Sequence, residues 1–171
     1  MFYQALNFLD KHIGFDRAKA HCDVPCGIYD PIPAQIAAMS VIRMVDTITD
    51  LENHEKQDHG GERDAHYNNK ITRMINEKEK EAEKVKHEIR VIWGDFFKAP
   101  QFEQFPQIHS LTHEIMLLGS KAKQNVDREA SVQLLDKVNE FAEIFYKVKN
   151  ISTKKVTYHC KPNLEMVFPD L

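Results

Sequence analysis

The chain has 171 residues, 29% of them charged, and a net charge of −3 with histidine counted neutral. That length suits one domain with a real core, and the charge balance leaves no basic stripe for nucleic acid. No apolar run approaches the roughly 20 residues needed to span a bilayer, so neither nucleic acid nor a membrane is an expected partner.

Residues 1–20, MFYQALNFLDKHIGFDRAKA, come first. Their closing Ala-Lys-Ala resembles the small-residue box before a secretory cleavage point. However, Gln4, Asn7, Asp10, Lys11 and His12 interrupt any continuous apolar core, while Phe2, Leu6, Leu9 and Ile13 recur at helical spacing. The segment reads as a short amphipathic pro-segment and not as an export signal, which places the chain in the cytoplasm. Three cysteines are an odd count for a disulfide framework. In a reducing compartment the neighbours Cys22 and Cys26 suit a metal site or a redox couple better than a structural bridge.

The stretch HCDVPCGIYDP, residues 21–31, concentrates the chemistry. Read alone, Cys22 and Cys26 with His21 could be a chance surface pair or an oxidisable couple. A structural zinc site requires four convergent ligands, and no second Cys/His cluster follows at suitable spacing. His109 and His113, four apart on one helix, could form half a site, but such a pair is more often polar surface. Cleavage after Ala20 changes the chemistry, because His21 then gains a free α-amine. That amine, the Cys22 amide nitrogen and the thiolates of Cys22 and Cys26 can lie in one plane, which suits nickel or copper. The His21 imidazole can add an axial bond, and Pro25 and Gly27 let the backbone turn back sharply. The leader would then mask a ligand that only proteolysis creates.

Beyond the hook four helical stripes follow. Asp30-Pro31 reads as an N-cap with proline in the first turn, ahead of Ala34, Ala38, Val41, Val45 and Ile48. Residues 50–69 are polar around Gly60-Gly61 and are expected to be a helix end and a solvated connection. Ile71, Ile75, Ala82, Val85, Ile89 and Ile92 mark a second helix, with Lys78 interrupting the pattern and Gly94 and Pro100 as breakers. Pro106 can open a third, with Ile108, Leu111, Ile115, Leu118 and Ala122 on its stripe. Leu134, Val138, Phe141, Phe145 and Val148 mark the fourth. These alternating spacings predict an all-α fold, an antiparallel up-down four-helix bundle. The expected organisation is a pro-segment over 1–20, hook and bundle over 21–150, and an extended tail over 151–171.

With these residues in place, HCDVPCGIYDP resembles the nickel hook of nickel superoxide dismutases, H-C-D-x-P-C-G-x-Y-D-P, at nine fixed positions without a gap. WGDFFKAPQFEQFP resembles that family's stretch after its second helix, and PNLEMVFPDL the extension of some bacterial members. The resemblance implies a right-handed four-helix bundle, a homohexamer, and a dedicated peptidase cutting between Ala20 and His21. It implies disproportionation of superoxide to oxygen and hydrogen peroxide, with one nickel ion per subunit cycling between Ni(II) and Ni(III). It assigns His21, Cys22 and Cys26 as metal ligands and Val24-Pro25 as the place of a cis peptide. Asp23 would help orient the small anion, and Tyr29 would order it over the vacant side of the metal.

Some family positions differ. The glutamate and arginine that hold the imidazole fall on Ala37 and Glu81, and Phe96 replaces a second tyrosine. Glu81 is then expected to accept the imidazole N–H, as metal-bound histidine requires such an acceptor. The competing reading is a non-catalytic metal-handling or thiol-redox helical protein. Cys160 has no role in either reading.

Overall fold

The computed structural model describes residues 26–58 and 63–171. The pro-segment and the hook residues His21, Cys22, Asp23, Val24 and Pro25 lie outside the described residues. In chain order the elements are α1 (Ile32–Asp58), α2 (Ala65–Val91), a π-helical turn (Ile92–Phe96), α3 (Ala99–Gln104), α4 (Ile108–Gln124), α5 (Arg128–Val148), β1 (Thr153–Thr157) and β2 (Glu165–Pro169). The four long helices form the expected antiparallel bundle, with α1 against α2 and α5, and α4 against α2 and α5.

Local chemistry sets where each helix starts. The Asp30 carboxylate accepts the Ile32 N–H at 2.8 Å, and the Pro31 carbonyl takes those of Ala34 and Gln35. Asp64 Oδ1 accepts from Tyr67 N–H at 2.7 Å, and Asp127 Oδ1 from Ala130 N–H at 3.0 Å. Each carboxylate satisfies a donor that helix geometry leaves without an internal partner. The predicted stripes then face inward. Ala34, Ala38, Val41, Val45 and Ile48 are buried, as are Ile108, Leu111, Ile115 and Ala122, and Leu134, Val138, Phe141 and Phe145.

Three features differ from expectation. First, the polar stretch 50–69 is mostly helix, α1 running to Asp58 and α2 starting at Ala65. Polar side chains do not end a helix that keeps apolar anchors, and Leu51 and Tyr67 are both buried here. Arg63 adds an ion pair to Glu52 at 3.0 Å, and the Tyr67 hydroxyl donates to the same carboxylate. Second, Pro100 lies in the first turn of the short helix α3, where its missing N–H is harmless. Third, the tail is an antiparallel hairpin paired from Thr153 with Pro169 to Thr157 with Glu165.

The hairpin is held to the bundle by a buried amide pair. Gln35 Nε2 donates to Asn139 Oδ1 at 2.8 Å and to the Val167 carbonyl at 3.0 Å. Asn139 Nδ2 donates to the Glu165 carbonyl at 3.0 Å, and its Oδ1 accepts the Val167 N–H at 3.3 Å. Met166 and Val167 fill the space beside them, fully buried. Two strands alone are marginally stable in water, so this docking gives the hairpin its order.

Lys78, which breaks the apolar stripe of α2, is also buried. Its ammonium donates to the carbonyls of Ala122, Lys123 and Asn125 at 2.8, 2.5 and 3.1 Å. The side chain caps the C-terminal end of α4, where carbonyls lack helical donors and the helix dipole favours a cation. Burial pushes its pKa down, and Glu79 only partly offsets this.

At the opposite end of the bundle the Tyr146 hydroxyl donates to Asp30 Oδ1 at 3.3 Å. Burial first, and the Asp30 charge second, raise the phenol well above its ordinary value of 10.0. In the folded chain it stays protonated where an unfolded chain would ionise, so its contribution is complete below pH 10 and declines above it. Tyr146→Phe should therefore lose about 1 kcal/mol at neutral pH and show a shallower stability loss above pH 10 than the unaltered chain, read from urea midpoints at both pH values. Lys78→Met should lower unfolding free energy by about 2 kcal/mol, because it leaves buried carbonyls without donors. Urea denaturation with an unchanged slope would show that the loss is one of stability.

Candidate metal centre

Among the described residues the hook is represented by its last thiol. Cys26 is exposed, is in no disulfide, and lies in a turn immediately before Gly27. Gly27 has φ +66°, a left-handed conformation that an L side chain adopts only with strain. The chain thereby reverses between Cys26 and Ile28. Ile28 points to solvent and Tyr29 inward, at 76% and 8% exposure.

Tyr29 enters an aromatic cluster built from three elements. Its ring lies 5.8 Å from that of Phe96 in the π-helical turn, tilted by 53°. Phe96 contacts Phe145 of α5 at 4.7 Å. Phe97, almost fully buried, lies 5.7 Å from Phe141 and 6.1 Å from Phe102. The antiparallel alternation brings the start of α1 and the ends of α2 and α5 to one end of the molecule. The turn after α2 makes the cluster possible, since the wider π spacing is followed by an extended Phe97 and both rings can face inward. The residue expected as a second tyrosine does stand opposite Tyr29, as Phe96.

The histidine pair expected to be polar surface is so. His109 and His113 are exposed. His109 Nδ1 accepts from Trp93 Nε1 at 3.2 Å, and its ring stacks on Phe102 at 4.3 Å. No group of three or more His, Cys, Asp or Glu converges among the described residues. Cys160 is exposed in the hairpin connection. Of the residues in the imidazole positions, Ala37 is fully buried and offers no polar atom. Glu81 is 8% exposed, and no hydrogen bond or ion pair joins its carboxylate to another described residue.

An exposed soft thiol on a sharply reversed backbone, next to a buried phenol, fits the end of a nickel- or copper-binding hook. His21, Cys22 and Asp23 lie outside the described residues, so the structure places only Cys26 and Tyr29 of the expected site. Tyr146 and Lys149 belong to the same end and were not singled out in the sequence. Both follow the apolar stripe of α5 closely, and no local signal separates them from other residues at a helix end. Only the bundle alternation brings them to the hook.

Residues 16–149 match the sequence profile of the family described as nickel-containing superoxide dismutase. The nickel superoxide dismutase of Streptomyces coelicolor is 35% identical over 130 residues, covering 76% of this chain and 88% of that protein. Its counterpart in Streptomyces seoulensis is 34% identical over 133 residues, 78% and 91% respectively. A native nickel superoxide dismutase structure is 35% identical with a TM-score of 0.61, over 75% of this chain and 99% of its own. Another, with nickel ligation corresponding to the oxidised state, is 34% identical with a TM-score of 0.62, over 76% and 99%. With the four-helix bundle, the terminal thiol and the matched span agreeing, the chain belongs to the nickel-containing superoxide dismutase family.

Proposed function

We propose that the nickel is held by His21, Cys22 and Cys26 in a hook that forms after cleavage between Ala20 and His21. The reaction disproportionates superoxide, one anion losing an electron to become oxygen and a second gaining one, with two protons, to become hydrogen peroxide. Nickel, when bound, supplies the one-electron chemistry, and thiolate with amide donors suits its higher oxidation state. The observation that carries this reading is the exposed Cys26 thiol on the Gly27 reversal, directly before the inward-pointing Tyr29.

The spacing of altered residues in solved relatives supports the assignment. Variants of nickel superoxide dismutase have been solved with changes at a histidine numbered one, an aspartate numbered three and a tyrosine numbered nine. The same intervals here give His21, Asp23 and Tyr29. Counted this way the histidine is first, which agrees with a maturation cut after Ala20. Asp23 then orients the small anion, and the Tyr29 hydroxyl orders it while the ring limits entry of larger molecules. We place the working protein in the cytoplasm as a homohexamer. Ile28 and Ile36, at 76% and 37% exposure, leave apolar surface near the hook for a neighbouring subunit to cover.

Glu81 takes the role of acceptor for the His21 imidazole N–H. A metal-bound imidazole calls for an acceptor on its free N–H, and Glu81 stands at 8% exposure on the helix face where the resemblance places that partner. Glu81 lies about ten residues, or about 15 Å of rise, before the end of α2. The segment from His21 to Tyr29 is long enough to bring the imidazole alongside it.

Protein beginning at His21 should consume superoxide after nickel loading, and the chain from Met1 should not. A metal-handling protein would bind nickel in both forms and dismutate in neither. Glu81→Gln should lower activity by about tenfold and alter the nickel paramagnetic resonance spectrum. An unchanged spectrum and rate would exclude Glu81 as the acceptor.

A further inference from the structure

We infer that Lys149 is an electrostatic positioning residue that draws the superoxide anion toward the Tyr29 end of the bundle. The inference rests on the metal placement proposed above, at the hook that ends in Cys26. Lys149 follows the last residue of α5 and is exposed. Its ammonium lies 4.6 Å from the centre of the Phe145 ring and 5.6 Å from that of Phe96. Phe96 in turn lies 5.8 Å from Tyr29. Ammonium, two ring faces and phenol thus form one continuous cluster at the end that carries Cys26.

How the charge is held matters here. Lys80, Lys86, Lys121, Lys137, Lys154 and Lys155 each have a carboxylate within ion-pair distance. Among the described residues Lys149 has none, nor do Lys98 and Lys147, but of the described lysines it is Lys149 that lies over ring faces. Ring quadrupoles hold an ammonium in place without neutralising it, and the C-terminal end of α5 favours a cation there. The nearest negative group of the hook base, Asp30, already accepts from the Ile32 N–H and the Tyr146 hydroxyl.

Superoxide is a small monoanion, and the chain as a whole carries −3. At a distance the overall field is weakly repulsive, so a local cation with no carboxylate partner among the described residues raises the anion's concentration where it stands. Phe96, lacking a hydroxyl, offers its bare ring face to the ammonium. The chain thereby presents an ammonium over the ring that stands opposite Tyr29. For a separation on the order of 10 Å in a water-like dielectric, one charge changes the local anion concentration by about twofold, and salt removes most of that.

The test uses nickel-loaded protein beginning at His21, with Lys149→Gln and Lys149→Arg. Superoxide decay is followed from low to high ionic strength, alongside nickel content and melting temperature. The unaltered protein and Lys149→Arg should slow by about twofold across the series. Lys149→Gln should start at the lower rate and show a flatter slope, with nickel content and melting unchanged. A second readout is independent of turnover: in the nickel(II) protein, the Tyr29 and Phe96 ring resonances are followed during titration with azide, a small monoanion. They should shift in the unaltered and Arg proteins at about half the azide concentration that Lys149→Gln requires. An unaltered salt slope and azide response in Lys149→Gln would overturn the inference. If the unaltered protein consumed no superoxide, the metal placement would fall, while the azide shifts would still decide Lys149.

Discussion

The hydrogen bond from the Tyr146 hydroxyl to Asp30 joins the last helix to the first residue pair after the hook. Asp30 also starts α1 through the Ile32 N–H, so one carboxylate sets both where the helix begins and which helix end it sits against. Everything assigned to the site depends on that join. Tyr29 enters the aromatic cluster because Asp30 is held next to α5, and Cys26 is carried along only three residues upstream. The phenol is protonated throughout the physiological range, since burial and the Asp30 charge both oppose its ionisation.

The two ends of the bundle are specialised by composition. Near the hook the core is aromatic, with Tyr29, Phe96, Phe97, Phe141 and Phe145 in ring contact. Further along, the interior is aliphatic and includes the Lys78 ammonium bonded to carbonyls of the last turn of α4 and of Asn125 just after it. Flat rings fill the irregular space where helices end and a loop crosses them, and aromatic pairs add stabilisation beyond burial alone. An end built from rings is also a rigid support for a short metal-binding segment that has little core of its own.

The hairpin lies beyond residues 16–149, the span shared with the family. It docks through Gln35 and Asn139, whose amides replace the hydrogen bonds that a third strand would otherwise supply. Only its inward residues Met166 and Val167 are fully buried, while β1 is largely exposed and carries Lys154 and Lys155. Charged side chains on such a strand discourage further edge pairing.

The sequence by itself determined the four helical faces, because a 3.6-residue period needs only local spacing to be read, and the hook, because its ligands are contiguous. It also marked Phe96 and Glu81 as departures. The inward course of Lys78 was decided by the tertiary structure, since its acceptors belong to α4, far away in the chain. The same holds for the hairpin, which the amide pair Gln35 and Asn139 orders from two different helices, and for Lys149, whose rings come from α5 and the turn after α2. A polar residue on an apolar stripe has no visible meaning until the groups that satisfy it are in place. Those groups are brought together by the packing of the helices and not by proximity along the chain.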